Sequence, residues 1–280
     1  MRSMTYQPIV EAIVPFLLGR DNGPPRILCP GSGTGRLPFM IAEQLKGAQI
    51  IALDPDANAQ RAAALMFNAA ADDAPISLPT RIFPSLHVSN NWAKTEHRLL
   101  HVDVPDVPIA TIKSVEASTN VTFAVGSLED AADEWEAGGA LDGDNDDDGT
   151  PKRRDFDAVA TCFVLDVLTD IRSSLRALYA MLAPTRGLWA NLGPLAYPEP
   201  GDGMLPPTAG GVAASGRVIL NAAQILALVK SVGFEVIEER LVEGCEYNAL
   251  PHRLERTVRT CLFFIARPPP QERVEVGARG

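Results

Sequence analysis

Residues 26–37 read Arg26-Ile27-Leu28-Cys29-Pro30-Gly31-Ser32-Gly33-Thr34-Gly35-Arg36-Leu37, an apolar run that leads through three alternating glycines into an amphipathic segment. This order predicts a strand, a tight turn and a helix. Glycine has no Cβ, so Gly31, Gly33 and Gly35 can adopt positive φ and let a ligand approach the backbone. The helix that follows presents unpaired N–H groups at its first turn, where Pro38 needs no hydrogen-bond partner. The segment therefore predicts a loop that binds a nucleoside cofactor.

The spacing of these glycines separates two classes of cofactor. They follow a G-x-G-x-G pattern, whereas dinucleotide-binding folds use G-x-G-x-x-G. The next apolar run, residues 50–53, ends at Asp54, where an acidic side chain after the second strand accepts hydrogen bonds from ribose hydroxyls. The combination favours S-adenosylmethionine over NAD. The alternative is a tight strand-to-helix turn in which Asp54 caps the following helix.

The composition indicates one large α/β domain. The chain has 280 residues, of which 46% are hydrophobic, and we expect the domain to span residues 1–268. A net charge of −10 argues against nucleic acid as a partner, because binding to a phosphate backbone requires clustered lysine and arginine. A small molecule or a short peptide is the expected substrate, and a homodimer is the alternative to a monomer.

The cysteines and the hydropathy pattern predict a reducing compartment. Cys29, Cys162, Cys245 and Cys261 lie far apart, without C-x-x-C zinc spacing or a dense disulfide framework. No apolar run approaches the roughly 18 residues that a membrane span needs. The N-terminal residues also lack a secretory h-region. We therefore expect a cytoplasmic protein, with the nucleus as a second compartment, that does not bind membranes.

One acidic segment imitates a calcium site. Residues 144–155 carry an Asp-x-Asp-x-Asp-Gly pattern that resembles an EF-hand loop. The flanking helix-forming pairs are missing, and Lys152, Arg153 and Arg154 lie inside the frame. We expect a solvated acidic insertion over residues 138–150, with no bound metal. The tail, residues 269–280, is expected to be disordered.

The rest of the chain alternates apolar strand patterns with amphipathic helix patterns, which predicts a doubly wound sheet. Besides the strand of the glycine loop, the predicted strands are 50–54, 121–125, 155–165, 188–192, 234–240 and 260–267. The predicted helices are 6–18, 57–68, 128–135, 171–182 and 221–231. Residues 75–108 are rich in proline, asparagine and histidine and predict a long irregular loop, and residues 198–216 predict a second one.

Five motifs occur in a characteristic order along the chain. They are Tyr6-Gln7-Pro8-Ile9, Pro30-Gly31-Ser32-Gly33-Thr34-Gly35-Arg36-Leu37, Ser89-Asn90-Asn91, Ala160-Thr161-Cys162-Phe163-Val164-Leu165-Asp166 and Asn191-Leu192-Gly193-Pro194-Leu195-Ala196-Tyr197. Together they resemble the carnosine N-methyltransferase family, a branch of the class I S-adenosylmethionine-dependent methyltransferases. The resemblance extends over roughly residues 6–267, and the last two motifs are uncommon in other methyltransferases.

The resemblance implies a seven-stranded Rossmann-like methyltransferase sheet with an antiparallel last strand. It also implies methylation of an imidazole nitrogen in a small histidine-containing peptide, with S-adenosylmethionine as donor. The cofactor-binding residues that it implies are Gly31, Gly33, Gly35, Arg36, Asp54, Gly126, Ser127, Leu128 and Cys162. Asp166, Asn191 and Tyr197 become the candidate catalytic residues on the acceptor side. Each has a structural alternative: a helix N-cap for Asp166, a strand-end amide for Asn191 and aromatic packing for Tyr197.

Several positions depart from the family pattern. Ser127 replaces an acidic residue, Pro198 stands where a substrate-contacting histidine is expected, and residues 257–260 replace tyrosines. The family's upstream segment, which contributes polar groups to the cofactor, does not precede Met1 in this sequence. We therefore expect poor turnover of carnosine itself. A catalytically impaired member that binds cofactor or a partner protein is the main alternative, and a dehydrogenase is a more distant one.

Overall fold

The computed structural model describes residues 2–20, 23–68, 80–136, 155–184, 186–197, 218–247 and 252–269. The predicted acidic insertion at 138–150, the EF-hand-like pattern before Asp155, the predicted loop at 198–216 with Pro198, and the tail after Pro269 lie outside these residues. Nine strands occur in the described part of the chain. They are β1 (Arg26–Pro30), β2 (Gln49–Asp54), β3 (Thr80–Ile82), β4 (Val102–Val104), β5 (Asn120–Val125), β6 (Ala158–Cys162), β7 (Leu188–Gly193), β8 (Glu235–Tyr247) and β9 (Thr257–Arg267).

Helices alternate with these strands. They are α1 (Arg2–Thr5), α2 (Gln7–Leu17), α3 (Arg36–Gln44), α4 (Ala57–Asn68), α5 (Ile109–Ser118), α6 (Leu128–Glu136), α7 (Ile171–Met181) and α8 (Ala222–Val232), with a 3-10 helix at Thr95–Leu99. The cap residues agree with the sequence at α7 and α8. The Asp170 carboxylate accepts hydrogen bonds from the backbone N–H groups of Arg172 and Ser173, and Asn221 forms a capping box with Gln224.

Seven strands form one sheet in the order β5-β2-β1-β6-β7-β9-β8. Strands β5, β2, β1, β6 and β7 are mutually parallel, and β9 runs antiparallel to both of its neighbours, β7 and β8. The predicted doubly wound α/β class and the antiparallel last strand are therefore confirmed. The carboxyl ends of the parallel strands meet at one edge of the sheet, where open α/β folds bind their ligands.

The core lies on both faces of this sheet. Ile27 and Cys29 of β1 belong to one buried apolar cluster, whereas Leu28 between them belongs to the other, because successive side chains of a strand point to opposite faces. Residues of α2, α3 and α5 complete the first cluster, and residues of α6, α7 and α8 complete the second. All five residues of β1 are buried, as expected for a strand covered by helices on both sides.

The structure corrects several predicted elements. The predicted irregular loop at 75–108 contains an antiparallel ribbon of β3 and β4, which is too short to give an alternating pattern. Helix α5 was not predicted, although Ile109, Ile112 and Val115 have helical spacing after Pro108. The predicted strand 155–165 is regular only over β6, because the backbone turns sharply at Phe163. Strands β8 and β9 are longer than predicted, since they form a twisted hairpin with irregular register.

Two further features of the described residues bear on function. None of their helices is long and apolar enough to cross a membrane. No cluster of three or more histidine, cysteine, aspartate or glutamate side chains among them could hold a metal ion.

Candidate functional site

A cavity of about 300 Å³ lies at the carboxyl edge of the parallel strands. The glycine loop after β1 and the first turn of α3 form one wall. Cys162 and Phe163, at the end of β6, form another. Thr5 and Tyr6 at the junction of α1 and α2, together with Tyr247 at the end of β8, complete it.

The glycine loop has the backbone conformation that its sequence predicts. Gly31, Gly33 and Gly35 all have positive φ, at 65°, 54° and 82°. Two backbone groups fix the loop to β2: Ser32 N–H donates to the Leu53 carbonyl at 3.1 Å, and Gly33 N–H donates to Asp54 Oδ2 at 2.8 Å. Gly35 is the N-cap of α3, so the backbone of the loop continues directly into the N-terminus of that helix.

The surroundings of Gly31 and Gly33 differ. A Cβ built on Gly31 would lie 2.5 Å from Cγ2 of the buried Val164, so no larger residue fits there without displacing the segment after β6. A Cβ built on Gly33 would meet no heavy atom within 4 Å. Gly31 is therefore needed for packing between two strand ends. Gly33 leaves an open approach to the backbone, as a ligand-binding loop requires.

We predict that Gly31→Ala lowers the free energy of unfolding by about 3 kcal/mol, and Gly33→Ala by only about 1–2 kcal/mol. Both variants place a non-glycine residue at positive φ, but only the first also overpacks the contact with Val164. Urea unfolding of the two variants measures the difference. The double variant Gly31→Ala, Val164→Ala should recover part of the loss. Equal losses at the two glycines would contradict the packing role of Gly31.

Asp54 ends β2 behind the glycine loop. Its Oδ2 accepts the Gly33 N–H, and its Oδ1 accepts the Asp56 N–H at 2.9 Å. Helix α4 is capped by Asp56, whose Oδ1 accepts the N–H groups of Asn58 and Ala59. The alternative prediction, in which Asp54 itself caps the helix, is therefore not what the structure shows. The Asp54 carboxylate is partly exposed. It holds the glycine loop, and its oxygens can still accept further hydrogen bonds from a ligand.

Gln60 supports the same loop and was not predicted from the sequence. Its side chain is buried, and its Nε2 donates to Ser32 Oγ at 2.8 Å and to the Gly33 carbonyl at 3.3 Å. Since Gln60 lies on the first turn of α4, this contact links that helix to the loop. Sequence patterns could not identify this role of Gln60, because its hydrogen-bond partners lie in the loop between β1 and α3, far from α4 in the sequence.

The segment after β5 is engaged in helix capping. Ser127 N–H and Ser127 Oγ both bond to Asp130 Oδ2 at 2.8 Å, and Asp130 N–H donates back to Ser127 Oγ. These bonds hold the pKa of Asp130 below its usual range. The Leu128 side chain is buried in the core. Any contact of Gly126, Ser127 and Leu128 with a cofactor would thus involve backbone and apolar surface, and their cofactor-binding role stays a prediction.

Cys162 contributes an apolar wall to the cavity. Burial is the main cause that raises the pKa of its thiol well above its ordinary range, and the neighbouring Cys261 and Cys245 raise it further. The thiol of Cys162 lies 4.0 Å from the Thr5 carbonyl. Cys162 is only partly buried, and a thiol that stays neutral is a poor nucleophile, which favours a role for Cys162 in shaping the site.

Arg36 begins α3 and lines the cavity, where it forms an ion pair with Asp106. Asp106 follows β4, so this pair fastens the excursion between α4 and α5 to the rim of the site. The side chain of Arg36 is only 22% exposed, which strengthens the electrostatic interaction relative to a pair in open solvent.

Asp166 and Tyr197 lie beyond the ends of β6 and β7. Asp166 is 6% exposed, and its Oδ2 accepts the Ala196 N–H at 3.1 Å, which ties the loop after β7 to the segment after β6. The N-cap of α7 is Asp170, so the capping alternative for Asp166 does not apply. The Tyr197 hydroxyl donates to the Leu220 carbonyl at 2.9 Å and accepts the Leu220 N–H at 3.1 Å. Burial raises the pKa of Tyr197, and the nearby Asp166 charge raises it as well. The hydrogen bond with the Leu220 backbone lowers this pKa and offsets part of the rise.

Asn191 lies inside the sheet and not on the cavity. Its side chain is 0% exposed, and its Oδ1 accepts the Thr161 hydroxyl at 2.9 Å while its Nδ2 donates to the Leu262 carbonyl at 3.2 Å. The same Thr161 oxygen accepts the indole N–H of Trp189 at 2.8 Å. The structural alternative describes this geometry best, and we reassign Asn191 from contact with the acceptor to the positioning of three strands.

Phe163 and Tyr247 form an aromatic wall that the sequence did not predict. Phe163 has a positive φ of 60°, a strained conformation for an aromatic residue. Gly193 makes it possible, because a Cβ on that residue would lie 3.1 Å from the Phe163 backbone. The turn directs the Phe163 ring to stack on Tyr247, with ring centroids 5.7 Å apart.

The structure thus brings together only part of the predicted site. Gly31, Gly33, Arg36 and Cys162 line the cavity. Asp54 lies behind the glycine loop, and Gly35 faces Phe123 and Ala63 instead of the cavity. Asp166 and Tyr197 lie beside the loop that follows β7. The additional lining residues are Thr5, Tyr6, Ser32, Thr34, Leu37, Phe163 and Tyr247, of which only Thr5 and Tyr247 lie outside the motifs that carry the resemblance.

This strand order, with a glycine loop after β1 and an acidic residue ending β2, defines the architecture of a class I methyltransferase. The chain belongs to the carnosine N-methyltransferase family, whose model matches residues 1–270.

Curated relatives agree with this assignment. The chain is similar to carnosine N-methyltransferase of Schizosaccharomyces pombe, with 26% identity over 86% of this chain and 59% of that protein. It is 24% identical to carnosine N-methyltransferase unmet of Drosophila melanogaster, over 96% of this chain and 51% of that protein. The mouse carnosine N-methyltransferase is 22% identical over 96% and 58%. The chain therefore spans only about half to three fifths of the length of these relatives.

Solved structures are more distant. The [4+2]-cyclase SpnF has 13% identity and a TM-score of 0.49, with 94% of this chain and 81% of that chain covered. A TehB-like SAM-dependent methyltransferase from Corynebacterium glutamicum has 12% identity and a TM-score of 0.42, with 93% and 88% covered. At these values the likeness gives no correspondence between individual site residues.

Proposed function

We propose that the chain is an S-adenosylmethionine-dependent N-methyltransferase that acts on an imidazole nitrogen of a small histidine-containing peptide or a related small molecule. The main support is a single feature of the structure. The cavity lies at the adjacent ends of β1 and β6, where it joins the glycine loop to the segment that leads into Asp166. Membership of the carnosine N-methyltransferase family supports the same reaction.

The residues present fit the donor. The open approach to Gly33 provides a backbone cradle, Asp54 provides carboxylate acceptors for ribose hydroxyls, and Arg36 provides a cation for a carboxylate. Gly126, Ser127 and Leu128 are the residues proposed for the adenine side. When bound, S-adenosylmethionine supplies an electrophilic methyl group on a sulfonium.

The chain itself then has three tasks in the reaction. An imidazole is mostly neutral at pH 7 and already carries a lone pair, so positioning accounts for most of the rate enhancement. The Asp166 carboxylate can accept the N–H of the other ring nitrogen, fix the tautomer and stabilise the positive charge that forms. Cys162, Phe163 and Tyr247 provide apolar surface that excludes water.

Calorimetry and mass spectrometry test the proposal. We expect the purified chain to bind S-adenosylhomocysteine and to transfer methyl groups from S-adenosylmethionine to at least one of free histidine and carnosine. NMR of the product identifies the methylated nitrogen. Cofactor binding without any methylated product would favour the catalytically impaired alternative. Binding of NADH in place of S-adenosylhomocysteine would instead support a dehydrogenase.

The role of Asp54 gives a further prediction. We expect Asp54→Ala to weaken the binding of S-adenosylhomocysteine by about 1–3 kcal/mol, because ribose hydroxyls and the Gly33 N–H lose their acceptor. Asp56→Ala is the matched control, since its carboxylate caps α4 and does not reach the loop. Calorimetry gives the affinity of each variant for S-adenosylhomocysteine. Equal losses in the two variants would mean that the stability of α4, and not a contact of Asp54 with the ribose, controls the affinity.

A further inference from the structure

The orientation of the buried Gln60 amide is fixed by one of its partners. The side chain is only 2% exposed, and its Nε2 lies 2.8 Å from Ser32 Oγ and 3.3 Å from the Gly33 carbonyl oxygen. A carbonyl oxygen only accepts hydrogen bonds, so the NH2 group of the amide, and not its oxygen, faces the glycine loop. Ser32 Oγ is therefore the acceptor in its bond with Gln60.

This bond leaves Ser32 with one unused group. The backbone N–H of Ser32 donates to the Leu53 carbonyl at 3.1 Å, and its carbonyl accepts the Gly35 N–H at 3.0 Å. The Ser32 hydroxyl oxygen accepts the Gln60 amide, and the hydroxyl proton has no acceptor among the described residues. A serine hydroxyl can donate one hydrogen bond while it accepts another. Because Ser32 lines the cavity, its O–H group can donate to a bound ligand.

The wall of the cavity that contains Ser32 favours an anionic group. Among the described residues that line the cavity, only Arg36 is charged. Its ion pair with Asp106 uses one terminal nitrogen, and a guanidinium has further N–H donors. The N-terminus of α3, which begins at Arg36, adds a partial positive charge. Asp54, by contrast, offers acceptor oxygens behind the loop, which suit ribose hydroxyls and not a carboxylate.

We propose that the Ser32 hydroxyl, oriented by Gln60, donates a hydrogen bond to the carboxylate of the bound cofactor. The inference rests on the proposed function in taking S-adenosylmethionine as that cofactor. Gln60 is not among the residues that line the cavity and acts through Ser32, so it is a positioning residue. A hydrogen bond from a hydroxyl to a carboxylate is charge-assisted, and such bonds are stronger than neutral ones.

The amide oxygen of Gln60 makes it possible to separate this role from a structural one. Its Oε1 is buried without a hydrogen-bond partner among the described residues, which destabilises the fold. Gln60→Leu removes this oxygen together with the bonds to the loop, so its two effects on stability oppose each other. We expect little change in the urea midpoint of Gln60→Leu, whereas its affinity for S-adenosylhomocysteine should fall by about threefold or more.

Two ligands identify the group that Ser32 contacts. S-adenosylhomocysteine and its decarboxylated analogue, S-adenosyl-3-thiopropylamine, differ only by the carboxylate. In calorimetry, Ser32→Ala should weaken the binding of S-adenosylhomocysteine by about tenfold and leave the affinity for the analogue unchanged. In Gln60→Glu, the new carboxylate accepts the Ser32 hydroxyl proton and withdraws it from the ligand. The loss of affinity for S-adenosylhomocysteine should therefore be larger in Gln60→Glu than in Gln60→Leu.

A double-mutant cycle and a matched control show whether Gln60 acts through Ser32. If it does, Gln60→Leu lowers the affinity for S-adenosylhomocysteine in the unsubstituted protein but adds little further loss when Ser32 is already replaced by alanine. Gln49→Leu is the control, because Gln49 also has a buried Oε1 without a partner but begins β2, at the end of the strand opposite to Asp54. Its affinity for S-adenosylhomocysteine should be unchanged.

The outcomes separate this inference from the proposed function. Failure of the unsubstituted chain to bind S-adenosylhomocysteine would refute both. The affinities do not depend on turnover, so a chain that binds S-adenosylhomocysteine but forms no methylated product contradicts only the proposed reaction. If the ligand binds, three results overturn the inference alone. They are an unchanged affinity in Ser32→Ala, equal losses of that variant on both ligands, and a full additional loss from Gln60→Leu in the Ser32→Ala background.

Discussion

Asp166→Asn is expected to leave the affinity for S-adenosylhomocysteine unchanged and to lower kcat on an imidazole acceptor by about 10²–10³-fold. This corresponds to roughly 2.7–4 kcal/mol of transition-state stabilisation, the range found when one preorganised electrostatic contact is removed. An amide oxygen can still accept the Ala196 N–H, so the substitution removes the charge and keeps the loop contact. Single-turnover measurements at saturating acceptor give the chemical step directly.

The control for this variant is Asp170→Asn. Asp170 lies four residues further along the chain and caps α7 with the same side-chain chemistry, and asparagine is an equally good N-cap. Its kcat should be unchanged. A comparable fall of kcat in both variants would mean that Asp166 acts through local structure. A third variant, Asp166→Ala, removes both the charge and the contact with the Ala196 N–H. If both matter, kcat should fall further in Asp166→Ala than in Asp166→Asn.

The lowered pKa of Asp170 should make the free energy of unfolding depend on pH. The Ser173 hydroxyl and backbone N–H are the main causes that lower the pKa of Asp170, since they favour the charged form. A carboxyl whose folded pKa lies below its unfolded value stabilises the fold above the unfolded pKa of about 3.9. That contribution is lost as the pH falls through the folded pKa. Asp170→Asn should therefore flatten the acid side of the stability curve, and an unchanged acid limb would contradict this origin.

The glycine loop could be predicted from sequence because its determinants are local. Positive φ at Gly31, Gly33 and Gly35 follows from the residues themselves, and the position of Asp54 follows from the length of β2. The doubly wound arrangement follows similarly from alternating apolar segments and right-handed crossovers. These features depend on neighbours in the sequence or on one crossover, and the structure has them where the sequence indicates.

Other contacts of the candidate site could not be predicted in the same way because their determinants are distant in sequence. The Tyr247 ring reaches the cavity only because β8 pairs with β9 over its full length and with irregular register. The contact between Ser32 and Gln60, and that between Asp166 and Ala196, join elements whose spacing no periodicity encodes. The strained φ of Phe163 requires Gly193 on the adjacent strand.

Asn191 has a position in a recognisable motif, but its side-chain contacts depend on strand register. The motif from Asn191 to Tyr197 predicted a functional segment, but a motif does not say which of its side chains points into the sheet. Register pairs Asn191 with Thr161 on β6 and with Phe264 on β9, and this places the amide between three strands. The hydrogen bonds of its amide to Thr161 and Leu262 join β6, β7 and β9 inside the sheet.

Asn191→Leu is expected to lower the free energy of unfolding by about 2–4 kcal/mol. Leucine has a similar branched shape but a larger volume, so some overpacking adds to the main loss: the Thr161 hydroxyl loses its acceptor and the Leu262 carbonyl loses a donor inside the core. Each buried polar group left unpaired costs about 1–3 kcal/mol. Urea unfolding with an unchanged m value measures the loss.

A double-mutant cycle distinguishes this packing role from catalysis. Thr161→Val combined with Asn191→Leu removes both ends of one hydrogen bond, and replacing both partners by apolar groups of similar shape is much less destabilising than replacing one. The remaining loss should come from Leu262 and from the indole N–H of Trp189, which also loses its acceptor. If Asn191 only positions strands, the folded Asn191→Leu variant keeps kcat within about tenfold at temperatures well below its Tm. A native-like variant whose kcat falls as far as that of Asp166→Asn would show that Asn191 takes part in catalysis, because an amide that only packs inside the sheet does not lower kcat by that much.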